Sequence, residues 1–177
     1  MVSLSFVFWL FVGLGALVGM LRGWAKELLV AFSVILAIFI ILVLERYVGF
    51  VQELMKTGGP RTEFWIRMLI IVVLSFFGYQ TPNIRNLAEA ARREKLQDSL
   101  LGIVLGGFNG YLIVGSIWSY LDKAGYPYPF ALPPLEGTQI GDQALRLIAV
   151  LPPEYLSIPG IYFAIAVAFT FVVIVFI

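Results

Sequence analysis

Residues 3–44 read SLSFVFWLFVGLGALVGMLRGWAKELLVAFSVILAIFIILVL, two apolar runs separated by a short joint that contains glycine and charge. A single straight helix of this length would reach about 63 Å, about twice the hydrocarbon core of a bilayer. The chain is therefore expected to turn at the joint, where Gly23 frees the backbone and Trp24 suits the aromatic belt of the membrane interface. We interpret the turn as a wet headgroup anchor with a Glu–Arg or Glu–Lys ion pair. The predicted turn residues are Arg22, Trp24, Lys26 and Glu27.

Composition places the rest of the chain in the membrane class as well. Hydrophobic residues make up 60% of the 177 positions and charged residues 13%, against about half and about a quarter in soluble domains. Because hydrocarbon offers the backbone no hydrogen-bonding partner, segments that cross it must form helices. We predict an all-α, polytopic integral membrane helical bundle with four to five transmembrane helices plus interfacial amphipathic helices. The apolar blocks of near-spanning length are Ser3–Leu21, Ala25–Leu44, Phe64–Tyr79, Leu100–Leu121 and Ile158–Ile177.

The residue inventory excludes several classes of function. The chain has no cysteine and no histidine, which excludes disulfides, thiolate ligands and imidazole ligation of zinc or haem. Its net charge of +1 argues against nucleic-acid binding, which needs a concentrated basic face. No pair of carboxylates and no Ser/Lys dyad has a spacing that suggests catalysis. We predict that the protein is not an enzyme, with no catalytic, metal or cofactor-binding residues.

Two joints predict helices that lie in the membrane interface. Between Thr81 and Ser99, apolar residues recur at helical spacing among basic ones, which fits an amphipathic helix near anionic headgroups or a solvated linker helix. The joint 122–157 holds six of the nine prolines and should be stiff. It is either a docking surface for a partner or a lid that seals the bundle. Its predicted helix carries an apolar stripe of Ile140, Ala144, Leu147, Ile148 and Leu151.

Charge placement favours one orientation of the chain. Basic residues follow the first apolar block and do not precede it, so the positive-inside rule favours an amino terminus outside the cytoplasm. A secretory signal peptide is the alternative for this block. The lack of a charged n-region and an apolar run of about 19 residues both disfavour that alternative.

Glycines recur every four residues in the first and fourth apolar blocks. This spacing keeps them on one side of each helix, where the missing side chains let a second backbone approach closely. We predict that both ladders are helix-packing faces inside the bundle. Their shared frame, with Arg22 opposite Asn109, fits either a degenerate inverted-topology repeat, as in many transporters, or a chance bias toward Gly and Leu. The two ladders are Gly15, Gly19, Gly23 and Gly102, Gly106, Gly110.

Two motifs resemble the colicin V production protein family, CvpA. They are the hairpin Gly19-Met-Leu-Arg22-Gly23-Trp-Ala-Lys26-Glu27 and the segment Leu100-Leu-Gly-Ile-Val-Leu-Gly-Gly-Phe-Asn-Gly110. That family commonly has Arg at the position of Asn109, and the resemblance covers about residues 4–121, without the Pro-rich joint and the fifth block. The resemblance implies a bacterial inner-membrane protein linked to colicin V export and envelope physiology, without an agreed molecular activity. We divide the chain into a CvpA-like membrane core 1–121, an extracytoplasmic joint 122–157 with an interfacial helix, and a C-terminal transmembrane helix 158–177.

Polar groups inside the apolar blocks are few. Arg67 is the only charge well inside a block, and Glu63 one turn earlier favours an interfacial ion pair over a substrate site. Asn109 is the polar residue beside the second ladder. We predict an accessory or scaffolding subunit of a larger bacterial membrane assembly, such as an export, respiratory or photosynthetic complex. Its partners would be the lipid bilayer and other membrane-protein subunits, with any lipid or pigment contact made without His ligation. The alternative is a small-solute or ion transporter or channel.

Overall fold

The computed structural model describes residues 3–80 and 95–176, and within these ranges every regular element is a helix. The all-α prediction is confirmed. Four helices, Leu4–Arg22, Trp24–Tyr47, Gly49–Tyr79 and Leu96–Lys123, are long and apolar enough to cross a bilayer, judged by length and composition over the described residues. The helices are α1 (Leu4–Arg22), α2 (Trp24–Tyr47), α3 (Gly49–Tyr79), α4 (Lys95–Lys123), α5 (Gln139–Ile148), α6 (Pro152–Tyr155) and α7 (Gly160–Phe176).

Helix α2 lies at the centre of the bundle, in contact with α3, α4 and α7. Its buried side chains recur every three or four residues, so one stripe faces the interior along its whole length. Helix α1 packs mainly against α4 and makes few contacts with the other described helices. The buried stripe of α2 consists of Glu27, Val30, Ala31, Val34, Ala37, Ile38 and Ile41.

The third helix begins earlier than the apolar pattern predicts. The predicted block starts at Phe64, whereas α3 starts at Gly49 and contains a break at Gly59, which has φ 72°. The amide of Gln52 donates to the carbonyl oxygens of Glu45 and Arg46 at 2.9 Å each, which ties the start of α3 to the end of α2. The first part of α3 is too polar to be recognised as a membrane span, and a hydropathy pattern therefore misses it.

Helix α7 is shorter than the predicted fifth span. It has 17 residues, which corresponds to about 25 Å at 1.5 Å per residue, somewhat less than the hydrocarbon core. Its inner face includes Ile161 and Ala168, both almost fully buried. A full crossing by α7 stays a prediction.

The Pro-rich joint folds back over the carboxyl-terminal end of α4. Leu151 and Pro152 are fully buried, and a Cβ added at Gly115 of α4 would lie 2.8 Å from the Pro152 ring. Glu154 accepts from Ser119 at 3.1 Å and pairs with Lys123 at 2.9 Å. These contacts favour the lid interpretation of the joint.

The sequence predicts two interfacial helices, one in the Pro-rich joint and one between Thr81 and Ser99. The joint does contain the expected helix, α5, but Ile140 is 65% exposed and does not belong to its buried face, because that face is formed by Ala144 and Ile148. The amphipathic helix predicted between Thr81 and Ser99 lies mostly outside the described residues. Its last positions, from Lys95 onward, belong to α4.

Candidate functional site: a buried polar cluster beneath the helical hairpin

The two glycine ladders lie against each other, with α1 and α4 antiparallel. A Cβ added at Gly15 would lie 2.5 Å from the carbonyl oxygen of Gly106 and 3.1 Å from the Cα of Gly110. A Cβ added at Gly19 would overlap the carbonyl oxygen of Gly102 and lie 2.7 Å from the Cα of Gly106. Backbone therefore meets backbone along the seam, at a distance that only glycine permits.

Gly23 ends α1 and turns the chain into α2. Its φ of 82° is unfavourable for any residue with a side chain, and a Cβ there would lie 2.5 Å from Asp98 Oδ1. Asp98, in the first turn of α4, accepts a hydrogen bond from the amide of Trp24 at 3.1 Å. A carboxylate from α4 thus caps the positive start of α2, which has no side-chain cap of its own.

Glu27 lies one turn inside α2 and its side chain is fully buried. Arg22 Nη1 donates to Glu27 Oε1 at 2.7 Å. Asn109 Nδ2 donates to Glu27 Oε2 at 2.7 Å and to the Glu27 carbonyl oxygen at 2.8 Å. Both carboxylate oxygens therefore receive strong hydrogen bonds, as a buried charge requires.

Arg22 extends this network to α3. Its Nη2 donates to the carbonyl oxygen of Tyr79 at 2.9 Å, and its guanidinium carbon lies 4.5 Å from the centroid of the Tyr79 ring. One arginine therefore caps the carboxyl end of α3, stacks on an aromatic face and neutralises Glu27. We call this set of five residues the hairpin cluster: Arg22, Glu27, Tyr79, Asp98 and Asn109.

The interpretation of the turn as a wet headgroup anchor is wrong for Glu27. The predicted Glu–Arg pair is present, but Glu27 itself is fully buried, and Asn109 of α4 donates to its carboxylate. A sequence signal existed, since Glu27 is in phase with Val30, Ala31 and Val34 on the buried stripe. The sequence shows Asn109 as a polar residue beside the second glycine ladder, but it does not predict the contact between Asn109 and Glu27.

Lys26 and Trp24 lie at the edge of this cluster and are partly exposed. Lys26 makes no ion pair and no hydrogen bond with the residues that the structure describes. Among the described residues, the charge of Lys26 is therefore unpaired.

A second charged cluster lies at the opposite end of the bundle. Arg67 Nε donates to Glu45 Oε1 at 2.7 Å, and Arg67 Nη1 lies 3.4 Å from Glu63 Oε2. The guanidinium carbon of Arg67 is 5.6 Å from the centroid of the Tyr120 ring. The expected pair with Glu63 exists, but the shorter contact is with Glu45 of α2, which sequence reasoning missed because the two residues are 22 positions apart.

Helix α4 carries buried polar side chains from Asn109 of the hairpin cluster onward. Asn109, Ser116 and Ser119 are each no more than 1% exposed. Neither Asn109 Oδ1 nor Ser116 Oγ has a hydrogen-bond partner among the described residues. Over the same residues no three acidic side chains converge as a metal ion would require.

Comparison with known proteins identifies the family. The family described as colicin V production protein matches residues 4–132, which include both ladders, the hairpin cluster and the Arg67 cluster. Neither the curated proteins nor the solved structures provide a match to the chain. The match covers most of the chain and includes both motifs on which the resemblance rested. The chain is a multi-pass membrane protein and belongs to the colicin V production protein family.

Proposed function

We propose that this protein is an accessory or scaffolding subunit of a larger assembly in the bacterial cytoplasmic membrane, with its amino terminus outside. The membership of the colicin V production protein family supports an assembly linked to colicin V production. The proposal includes no catalysis by the chain itself. Its activity would be to present helix faces to neighbouring subunits.

The outward face of α1 is the observation that carries this proposal. Only 17% of its spanning window is buried inside the chain, the lowest value of the four, against 22% for α3 and 39% for α2 and for α4. One side of α1 is fixed by backbone contact at the glycine seam, and most of its remaining surface is not covered by the described residues. Because lipid tails are as apolar as these side chains, a protein partner would be held by close packing and shape. The largest exposed side chains of this face are Phe6, Trp9, Leu10, Phe11, Leu17 and Leu21.

The pairing of charges inside the bundle supports the same proposal. Arg22 and Arg67 lie in membrane-spanning helices and are both paired to carboxylates of this chain. Intramembrane charges are candidates for substrate binding when they line a cavity. Here the charges instead join helices to one another and hold the exposed faces in fixed positions.

Site-specific photo-crosslinking in native membranes tests the proposal. A photoreactive phenylalanine analogue at Trp9 or Leu17, which are 57% and 56% exposed, should form crosslinks to defined membrane proteins. The same analogue at Leu69 of α3, which is 61% exposed, is the matched lipid-facing control. Identical lipid-only products at all three positions would reject α1 as a subunit contact.

The buried polar side chains of α4 favour a second candidate function, transport of an ion or small solute. Asn109, Ser116 and Ser119 are buried on one helix, and two of them leave polar atoms unpaired among the described residues. Ion or solute flux by the purified protein in liposomes, abolished by Asn109→Leu, would support transport. A lone homo-oligomer with such flux, and no co-purifying subunit, would favour transport over scaffolding.

A further inference from the structure

A groove opens on the outer surface of the bundle between α2, α3 and α7. Its volume is about 360 Å³, which is within the range of sites that hold small ligands. The groove is almost entirely apolar, because the hydroxyl of its one serine, Ser33, donates to the carbonyl oxygen of Leu29 at 3.0 Å. The principal lining residues are Leu29, Phe32 and Leu36 of α2, Leu74 and Phe77 of α3, and Phe169 of α7.

The groove extends toward the end of the bundle that carries the hairpin turn. Phe77 lies in the last turn of α3, and Leu29 lies near the start of α2. Lys26 precedes Leu29 by one turn and Ser33 by two turns, which places it on the same side of α2. Its ammonium group has no acidic partner among the described residues. The apolar groove thus leads toward a lysine that forms no ion pair with the residues that the structure describes.

We propose that this groove is a binding site for an anionic phospholipid, with an acyl chain between α2, α3 and α7 and the headgroup phosphate at Lys26. The apolar lining of the groove suits a hydrocarbon tail, and Phe77 and Phe169, which are 64% and 68% exposed, form its open walls. The charge at one end suits a phosphate, which a Lys binds as a point charge. The inference is independent of the scaffolding role, because it concerns a different face from that of α1.

Lipid retention by the full chain tests this site. The protein is extracted from vesicles of equal phosphatidylglycerol and phosphatidylethanolamine content, and the bound phospholipids are counted by native mass spectrometry. The wild type should retain phospholipid enriched in phosphatidylglycerol. Lys26→Gln should lower that enrichment by about fivefold, the contribution of one Lys near an anionic surface. Lys56→Gln is the control, because Lys56 is an exposed lysine at the other end of the bundle.

Filling the groove provides an independent variant. Leu36→Trp should reduce the retention of both phospholipids, whereas Leu69→Trp, at a lipid-facing site outside the groove, should not. The proposal is overturned if the wild type retains both phospholipids at the vesicle ratio. It is also overturned if Lys26→Gln behaves as Lys56→Gln does, or if Leu36→Trp retains as much lipid as Leu69→Trp.

Discussion

Substitution of Gly19 by alanine should separate α1 from α4. The added Cβ would overlap the carbonyl oxygen of Gly102 and lie 2.7 Å from the Gly106 Cα, and both obstacles are backbone atoms that no side-chain rotation can remove. The helices must move apart, which loses packing and weak Cα–H···O bonds along the whole seam. Overpacking costs about 1–3 kcal/mol in well-packed cores, and a backbone collision should be at the upper end, about 3 kcal/mol.

Thermal unfolding in detergent measures this cost. For a chain of this size, about 3 kcal/mol corresponds to a decrease in Tm of about 6–12 °C. Gly13→Ala is the matched control on the same helix, because a Cβ there has no atom of the described residues within 4 Å. It should leave Tm unchanged or raise it slightly through better helix propensity.

A disulfide across the seam gives a direct readout of helix separation. A Cβ at Gly107 would lie 3.6 Å from the Ala16 Cβ, which is within the range for a disulfide, and the chain contains no other cysteine. Ala16→Cys with Gly107→Cys should form the bond readily in the Gly13→Ala background and poorly in the Gly19→Ala background. Equal Tm and equal crosslinking in the two backgrounds would show that the seam is not a close backbone contact.

Three further predictions concern the polar groups. Glu27→Gln should lower the free energy of unfolding by about 3 kcal/mol, which is the lower end for breaking a buried ion pair, because Arg22 is 20% exposed and can turn toward headgroups. In the same unfolding assay, the control Glu63→Gln, at a carboxylate that is 32% exposed, should lower it by less than about 1 kcal/mol. Asp98→Ala removes the cap of α2 and should lower stability by about 1 kcal/mol, and an unchanged Tm would mean that the Trp24 amide finds another acceptor. Burial raises the pKa of Tyr126 above its ordinary value of 10.0. The burial of its neutral phenol therefore contributes fully to stability below pH 10, and this contribution is lost as the pH rises through the raised pKa. Over that alkaline range, Tyr126→Phe should lose less stability than the wild type does.

The sequence predicts the spans and the two glycine packing faces because both depend on local patterns. The boundaries of α1 and α2 follow from apolar runs interrupted at Gly23, and the spacing of the glycines places each ladder on one face. These features need no knowledge of which helix meets which. The break at Gly59 and the polar start of α3 were missed, because that segment has neither the length nor the hydropathy of a span.

The hairpin cluster could not be predicted in the same way. Glu27 and Asn109 are 82 positions apart, and a carboxylate in a turn is ordinarily assigned to water because burial without partners is costly. The partners come from α4, whose position becomes known only when the two ladders are paired antiparallel. Arg67 shows the same limit, since a pattern finds Glu63 one turn away but not Glu45 on another helix.

The ladders and the hairpin cluster together connect three helices in a closed triangle. The glycine seam joins α1 to α4, Arg22 joins α1 to α2 through Glu27, and Asn109 joins α4 to α2 through the same carboxylate. A shift of α1 away from α4 would therefore move Arg22 relative to Asn109, so that Glu27 could no longer satisfy both. Contacts in one network are not additive, because the first loss already weakens the rest. The cost of Gly19→Ala combined with Glu27→Gln should accordingly be smaller than the sum of the two separate costs. This coupling explains how a charge can remain buried at the hairpin: the helices that enclose Glu27 are held in place partly by the bonds that Glu27 itself accepts.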